Sequence, residues 1–262
     1  MIHFLKSVRT IWMREIIRFW RDKPRIISTA FQPIMFLVVF GFGFRQILAK
    51  SNFGIDFIQF VYPGIIAMNV MGIAFFSSIS TVWDREFGFL KEILVAPVSR
   101  VSIVVGKIAG AATVATLQAL ILLILAPFLG VPLSVAVVVN LIIFMVLLSF
   151  AIAGLGLLIA SLMTTTESFS VVMQVLFFPM FFLSGAFFPL TQVPYWMEIL
   201  SKIDPLTYGV DAFRQIILGQ EAQVVETIKN ISLNTPLIDG LILVAFFIIF
   251  IIPATLNFNK GE

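Results

Sequence analysis

The sequence contains no cysteine and a single histidine, His3, among its 262 residues. Without cysteine, disulfide bonds and thiol catalysis are excluded, and one histidine in the N-terminal segment is not expected to bind a metal. The sequence also lacks the short motifs of phosphate-binding loops, serine hydrolases and zinc peptidases. These absences predict that the chain is not an enzyme and that it holds no metal or cofactor of its own.

Charged residues are scarce as well. They make up 12% of the sequence, against 60% hydrophobic residues, and the mean hydropathy is +1.08. No soluble domain has such a composition, and several apolar runs reach the ~20 residues that a helix needs to cross a bilayer. We therefore predict an all-α, polytopic membrane protein in which residues 1–262 form a single transmembrane domain. The pI of about 9.3 reflects a basic N-terminal segment and does not indicate a nucleic-acid partner.

Six apolar segments are predicted to be transmembrane helices, at about residues 26–44, 57–82, 101–128, 133–163, 169–183 and 237–252. Residues 1–23 have the pattern of a basic amphipathic helix, which lies in the plane of the membrane interface. Residues 187–219 contain two short amphipathic patterns, the second opened by the capping pair Asp204 and Pro205, and predict an outer re-entrant or interfacial hairpin. Lysine and arginine concentrate near the termini and in residues 83–100, so we expect cytoplasmic termini and a location in the cell membrane.

The segment from Trp83 to Arg100 is dense in charge and lies between two apolar runs. Read as a helix over residues 83–96, it has one apolar stripe, formed by Trp83, Phe87, Leu90 and Leu94. The water-facing side would then carry Asp84, Arg85, Lys91 and Glu92. Gly88 would lie inside this helix, and Pro97 would end it. The spacing alone is compatible with a connector resting on lipid headgroups or with a docking surface for another protein.

The second and fifth predicted spans carry uncharged polar groups among aromatic side chains. Such a lining is typical of a site for apolar cargo, although ordinary hydrogen bonding between helices uses the same residue types. The residues of this candidate substrate path are Asn69, Phe75, Phe76, Ser77, Gln174, Phe177 and Phe178. No ionisable residue lies near the middle of a predicted span, which disfavours a carrier powered by its own ion gradient.

Two smaller patterns predict local contacts. Thr164 and Glu167 fit a capping box at the start of the fifth span. Asp211 and Arg214 lie about one helical turn apart, and an ion pair within an outer helix is favoured over a catalytic acid–base pair. Both patterns therefore predict local structure and no chemistry.

Three stretches of the sequence resemble the permease subunits of type-2 ABC exporters, a family of drug-efflux, nodulation-factor and polysaccharide export permeases. They are REFGFLKEILVAPVSR at residues 85–100, FFPMFFLSGAFFPL at 177–190 and DPLTYGVDA at 204–212, and the similarity runs nearly from end to end. In that family the first cytoplasmic loop carries a coupling helix that docks on a separate ATPase. The resemblance therefore implies an ATPase-coupling role for Trp83, Asp84, Arg85, Glu86, Phe87, Gly88, Leu90 and Lys91.

The resemblance also implies a function and partners. The chain would be the permease half of an ATP-driven exporter that moves a hydrophobic or amphipathic substrate out of the cytoplasm or the inner leaflet. It would form a homodimer, in which the first and fifth spans meet, and would bind two ATP-binding cassette subunits that hold the ATP and magnesium. Export of a polysaccharide or glycolipid is the alternative within the family, and a membrane scaffold without transport activity is the alternative outside it.

Overall fold

The computed structural model describes residues 2–48, 57–89, 98–131, 133–219 and 225–260, and these ranges are almost entirely helical, without any strand. Their α-helices are α1 (Ile2–Arg21), α2 (Lys23–Leu48), α3 (Phe57–Ser77), α4 (Ile79–Glu86), α5 (Arg100–Leu125), α6 (Val135–Leu162), α7 (Thr166–Leu183), α8 (Tyr195–Ile203), α9 (Pro205–Leu218), α10 (Val225–Ile231) and α11 (Pro236–Lys260). Short 3-10 helices are formed by Ala126–Leu129 and Leu190–Gln192. The predicted all-α fold is confirmed.

Five stretches of the described chain are long and apolar enough to cross a membrane. They are Phe57–Glu86, Arg100–Leu129, Val135–Leu162, Thr166–Leu183 and Ile228–Phe258. A shorter apolar stretch, Ile26–Val39, lies in α2, in the place predicted for the first span. Helices suit this environment because a bilayer offers no water to bond with the backbone, and each helix satisfies its own N–H and C=O groups. The prediction of a polytopic membrane protein is confirmed.

The buried core is built around α3, and nearly every residue of that helix from Val61 to Phe75 is buried. Tyr62 donates its hydroxyl to the carbonyl oxygen of Leu122 in α5, at 2.7 Å, so this buried polar group is satisfied. The short helix α9 packs against α3, α6 and α11. It does so through a fully buried apolar stripe, formed by Leu206, Val210, Phe213 and Ile217.

The bundle has two distinct ends. At one end, where α8 and α9 lie, Gly64 near the start of α3 touches the loop before α8, and a Cβ atom on Gly64 would lie 2.5 Å from the Cβ of Ala186. At the other end, α4 continues α3 after one turn residue, Ser78. There Arg100 donates from Nη1 to the carbonyl oxygen of Phe258, at 2.8 Å, which ties the start of α5 to the end of α11. We call these two ends of the bundle the α8–α9 end and the α1–α4 end.

The two short helices predicted within residues 187–219 are present as α8 and α9. Asp204 is the N-cap of α9, and its Oδ1 accepts from the N–H of Leu206 at 2.8 Å. Pro205 occupies the first turn, where its missing N–H costs nothing, and Gly219 caps the other end. The capping signal is therefore confirmed.

The ion pair predicted between Asp211 and Arg214 is wrong, because the two side chains bind different parts of the α8–α9 end. Arg214 donates from Nη2 to the carbonyl oxygen of Gly185 at 2.7 Å, and its guanidinium carbon lies 4.1 Å from the ring centre of Phe60. Asp211 accepts from the N–H of Leu233 at 2.9 Å. Each side chain thus fastens a loop to α9, which is a structural role.

The N-terminal helix α1 packs on α5 across two glycines. A Cβ atom on Gly106 would lie 2.9 Å from the Cβ of Ile11, and one on Gly110 would lie 2.6 Å from the Cβ of Glu15. Only residues without a side chain permit this approach. As a result α1 is fixed to the bundle, and its position determines which charged groups meet at the α1–α4 end.

Candidate functional site

The predicted coupling helix is interrupted in the middle. The helix α4 ends at Glu86, the N–H of Gly88 donates to the carbonyl oxygen of Arg85 at 3.1 Å, and Gly88 has a φ of +78°. Such a left-handed residue ends a helix, and glycine adopts it without strain. The expectation of one continuous helix through Gly88 is therefore wrong, and the chain turns there. Outside the described residues lie Leu90, Lys91, Glu92, Leu94 and Pro97.

Four charged side chains meet where α1, α4 and α5 join. This charged cluster consists of Arg14, Glu15, Asp84 and Lys107. Asp84 Oδ2 lies 2.7 Å from Arg14 Nη2 and 2.6 Å from Lys107 Nζ. Glu15 Oε1 lies 3.1 Å from Arg14 Nη2 and 3.8 Å from Lys107 Nζ.

The charged cluster is largely shielded from water. Asp84 is buried, so the water-facing position predicted for it is wrong. Two cations, Arg14 and Lys107, compensate for the hydration that its carboxylate loses. Burial by itself lowers the pKa of Arg14, but the neighbouring carboxylates of Asp84 and Glu15 together outweigh burial and hold that pKa above its ordinary value. The cluster therefore joins three helices through contacts between side chains of opposite charge.

The last two residues of α4 bind two further helices. Arg85 donates from Nη1 to the carbonyl oxygens of Ser161 at 3.0 Å and Met163 at 2.6 Å, at the end of α6, where carbonyls have no partner within the helix. Glu86 Oε2 accepts from the N–H of Thr166 at 2.9 Å and from the hydroxyl of the same residue. Together with the charged cluster, these contacts join α4 to α1, α5, α6 and α7.

The start of α7 differs from its predicted cap. The N-cap is Thr165, whose hydroxyl accepts from the N–H of Ser168 at 3.3 Å, so the capping box of Thr164 and Glu167 is wrong by one residue. The side chain of Glu167 is exposed. The carboxylate at this helix start comes instead from Glu86, which is distant in sequence.

Beyond α4 the chain forms an exposed corner, Phe87–Phe89. The side chain of Phe87 is 80% exposed, and that of Phe89 is exposed as well. Trp83, by contrast, is partly covered, and the guanidinium carbon of Arg18 lies 4.6 Å from its ring centre. Neighbouring exposed aromatic side chains make this corner a candidate contact surface.

A cavity of about 390 Å³ opens between α2, α3 and α7. This volume is within the range of about 300–1,000 Å³ that is usual for small-molecule sites. Its polar lining residues are neutral: Thr29, Gln32, Asn69 and Gln174. The rest of the lining is apolar and consists of Pro33, Met68, Gly72, Ile73, Phe76, Phe177 and Phe178.

The structure brings most of the predicted path residues to this cavity. Those that line it are Asn69, Phe76, Gln174, Phe177 and Phe178. Phe75 is buried in the core, and Ser77 lies in a separate narrow cleft beside Glu15. Asn69 and Phe76 are two helical turns apart and share a face, whereas the neighbours of Phe76 in sequence point elsewhere.

The contribution of α2 to the cavity is missing from the sequence prediction. Thr29 and Gln32 are polar residues one turn apart in an apolar segment, and this signal could have revealed it. The carbonyl oxygen of Thr29 accepts from Asn69 Nδ2 at 3.4 Å, so α2 and α3 are bonded at the cavity wall. Asn69 Oδ1 is buried without a hydrogen-bond partner in the described part of the chain, and it is therefore an acceptor available to a ligand.

Aromatic side chains extend from the cavity toward the α8–α9 end. Phe177 packs edge-on against Phe178, with ring centres 5.8 Å apart. Phe181 packs edge-on against Phe187, with ring centres 5.0 Å apart, and Phe36 of α2 lies 6.1 Å from Phe181. An apolar ligand leaving the cavity in this direction would meet the faces and edges of these rings.

Comparison with known proteins decides the family. The profile of the family described as "ABC-2 type transporter" matches residues 6–218. The chain belongs to this family. A permease of this kind works in a membrane together with an ABC ATPase.

Three relatives show the extent of the similarity. The "Putative transport permease ycf38" of Cyanophora paradoxa is 32% identical over 215 residues, which cover 80% of this chain and 74% of the relative. The "Inner membrane transport permease YadH" of Escherichia coli (strain K12) is 29% identical over 221 residues, which cover 81% of this chain and 83% of the relative. The "Probable multidrug ABC transporter permease YbhR" of the same strain is 34% identical over 174 residues, which cover 64% of this chain and 46% of the relative. This ABC-2 permease is therefore a membrane transport protein.

The described residues of this permease contain no group of three or more His, Cys, Asp or Glu side chains that could hold a metal ion. The charged cluster contains two carboxylates, but two cations already occupy the space between them. Within the described residues, the cavity and the exposed corner are candidate sites for partners.

Proposed function

We propose that this permease is the membrane half of an ATP-driven exporter that moves a hydrophobic or amphipathic molecule out of the cytoplasm or the inner leaflet. Two copies would assemble with two ATP-binding cassette subunits, which bind the ATP and magnesium. The observation that carries this proposal is the neutral, largely apolar cavity bounded by α2, α3 and α7. One wall of this cavity, α7, is joined directly to the end of α4, next to the exposed corner.

The chemistry of the lining supports an apolar cargo. A polysaccharide has many hydroxyl groups, and each would lose hydrogen bonds to water on entering a site with four neutral polar side chains. A largely apolar molecule with one or two hydrogen-bonding groups loses little and gains contact with Phe76, Phe177 and Phe178. One relative is named as a probable multidrug permease, which agrees with this assignment.

The exposed faces of α2 and α7 support a second copy as partner. On α7 an apolar stripe is exposed, formed by Val171, Val175, Phe178 and Phe182. On α2 the exposed apolar residues include Ile27, Phe31, Met35 and Val38. The cavity opens between these two helices, so a symmetric partner placed here would enclose it, and two-fold pairing is the usual arrangement of identical subunits.

The exposed corner is the proposed contact for the ATPase. A large aromatic side chain that is exposed in one protein is often the anchor that fills a pocket of its partner. Replacing Phe87 by Ala should therefore weaken binding of the ATP-binding subunit at least about tenfold, equivalent to roughly 1.4 kcal/mol. Because Phe87 is 80% exposed, the permease itself should remain folded.

The test is co-purification of the ATP-binding subunit from membranes with tagged parental, Phe87→Ala and Phe128→Ala permease. Phe128 is the matched control, because it is 85% exposed but lies beyond α5 at the α8–α9 end. The proposal expects ATPase retained by the parental and Phe128→Ala chains and lost from Phe87→Ala. Absence of any ATPase from the parental preparation would favour a scaffold, and equal retention by all three chains would place the contact elsewhere.

A further inference from the structure

Glu86 connects the exposed corner to the wall of the cavity. It is the last residue of α4, so the corner begins at the next residue. Its Oε2 atom accepts from the N–H and the hydroxyl of Thr166, the first residue of α7. The first N–H groups of a helix have no acceptor within the helix, and the helix dipole favours a negative charge at that end. The contact therefore combines two charge-assisted hydrogen bonds with a favourable dipole.

The helix held by Glu86 is much less embedded than α3, which forms the opposite wall of the cavity. Only Phe169, Met173 and Phe181 are buried in α7, whereas nearly all of α3 is buried. A helix with few packed side chains shifts as a rod more readily than one enclosed on every side. The fastening at Thr166 is accordingly one of the few points that fix where α7 lies.

The same helix carries the cavity wall. Gln174 and Phe178 of α7 line the cavity, and they follow Thr166 by eight to twelve residues. At a rise of about 1.5 Å per residue, Gln174 and Phe178 lie about 12–18 Å from Thr166 along the axis of α7. A displacement of the α7 start would therefore change the width of the cavity, since α3 on the opposite wall stays fixed in the core.

We infer that Glu86 is a positioning residue, which transmits movement of the exposed corner to α7 and so to the cavity. This inference rests on the proposed function, because it requires an ATPase at the corner. It replaces the expectation from the sequence resemblance that Glu86 itself contacts the ATPase. The Glu86 carboxylate is bonded to Thr166, and its function is to hold α7.

The experiment measures movement of α7 in the complete complex. A cysteine introduced at Val175, on the α7 stripe proposed to face the second copy, would be the only thiol of the permease, because the natural sequence has none; a label there reports movement of α7 relative to that copy. Labelled there with an environment-sensitive fluorophore, the permease is purified with its ATP-binding subunit, placed in liposomes and given ATP and magnesium. The readout is the ATP-dependent change in fluorescence, beside the rate of ATP hydrolysis and the amount of bound ATPase.

Glu86→Ala removes both hydrogen bonds of the contact, whereas Thr166→Val removes the hydroxyl donor and keeps the N–H donor of Thr166. We expect Glu86→Ala to reduce the ATP-dependent fluorescence change at least about fivefold, and Thr166→Val to reduce it by a smaller factor because one charge-assisted hydrogen bond remains. In both variants ATPase binding and hydrolysis should stay within about twofold of parental. The double variant should lose no more than the stronger single variant, because both changes remove one interaction. Thr166→Ser, which keeps the hydroxyl donor, should respond like the parental chain.

Glu167→Ala is the matched control for charge. It removes a carboxylate from the same helix start without touching the contact with Glu86, and its response should equal that of the parental chain. Loss of ATPase binding in Glu86→Ala would show that Glu86 contacts the ATPase directly and would overturn the positioning role. Parental responses in both Glu86→Ala and Thr166→Val would also overturn it while leaving the proposed function intact. A parental complex that shows no response to ATP would remove the proposed function together with this inference.

Discussion

The ammonium group of Lys107 lies 2.6 Å from the carboxylate of Asp84, and only 3% of the Lys107 side chain is exposed. Ions in such a place have lost most of their hydration, so each depends on the other. Asp84 belongs to α4 and Lys107 to α5, and the contact therefore fixes the helix that ends at the exposed corner. The contribution of this contact to the free energy of unfolding can be measured.

Removing one partner of this pair should destabilise the permease strongly. Asp84→Asn or Lys107→Met leaves a buried charge without full compensation, which costs about 3–5 kcal/mol. The double variant, in which Arg14 and Glu15 can still pair, should recover at least half of the loss, since the two effects are not additive. Thermal unfolding of the purified protein in detergent measures both quantities.

An exposed ion pair supplies the control for this measurement. Lys202 Nζ lies 2.7 Å from Glu198 Oε1 in α8, with both side chains exposed. Lys202→Met should change stability by less than about 1 kcal/mol, because solvent screens surface pairs. Equal losses for Lys107→Met and Lys202→Met would mean that the charged cluster does not hold α4 in place.

Filling the cavity should abolish the response to cargo. A Cβ atom on Gly72 would lie 3.4 Å from Phe177 at the cavity wall, so Gly72→Leu would place most of its side chain in the cavity. We expect stimulation of ATP hydrolysis by a panel of hydrophobic dyes to be lost, while basal hydrolysis by the reconstituted complex persists. Ile248→Phe enlarges a side chain on an exposed face of α11, outside the cavity lining, and should keep the stimulation. Parental stimulation in Gly72→Leu would show that the dyes bind elsewhere.

Cysteine cross-linking should detect the pairing of two copies through α7. Phe182→Cys lies on the exposed stripe of α7, and Leu241→Cys is its control on an exposed face of α11, also toward the α8–α9 end. In membranes treated with a short thiol cross-linker, Phe182→Cys should give a covalent dimer and Leu241→Cys a monomer. No background arises, because the natural chain has no cysteine. A dimer from Leu241→Cys alone would place the second copy against α11.

Helices and their caps could be predicted where the cause is local. The apolar runs mark the long helices through their length, and Asp204 followed by Pro205 marks the start of α9, because a cap and a proline act within one turn. The cavity could be predicted in part, since Asn69 and Gln174 are polar residues in apolar segments.

The contacts of α4 could not be predicted, because they depend on residues far away in sequence. Aspartate is usually a surface residue, and Asp84 is buried only because Arg14 and Lys107 approach it from other helices. Glu86 binds the first residue of α7, Thr166, 80 positions further along the chain, in addition to the local N-cap Thr165. The predicted helix continued past Gly88 because the apolar residues keep a helical spacing there. An amphipathic pattern does not reveal that a residue has a left-handed backbone conformation.

The three contacts that α4 makes through consecutive residues constrain the length of this segment. Asp84, Arg85 and Glu86 are consecutive, so their side chains leave the helix about 100° apart and reach different neighbours. A single inserted or deleted residue between Ser78 and Asp84 would rotate all three by the same angle and break every one of these bonds at once. A substitution of Asp84, Arg85 or Glu86 removes the contacts of that residue alone, whereas an insertion or deletion removes the contacts of all three. The number of residues from Ser78 to Glu86 is therefore under a stricter constraint than the identity of any one of them.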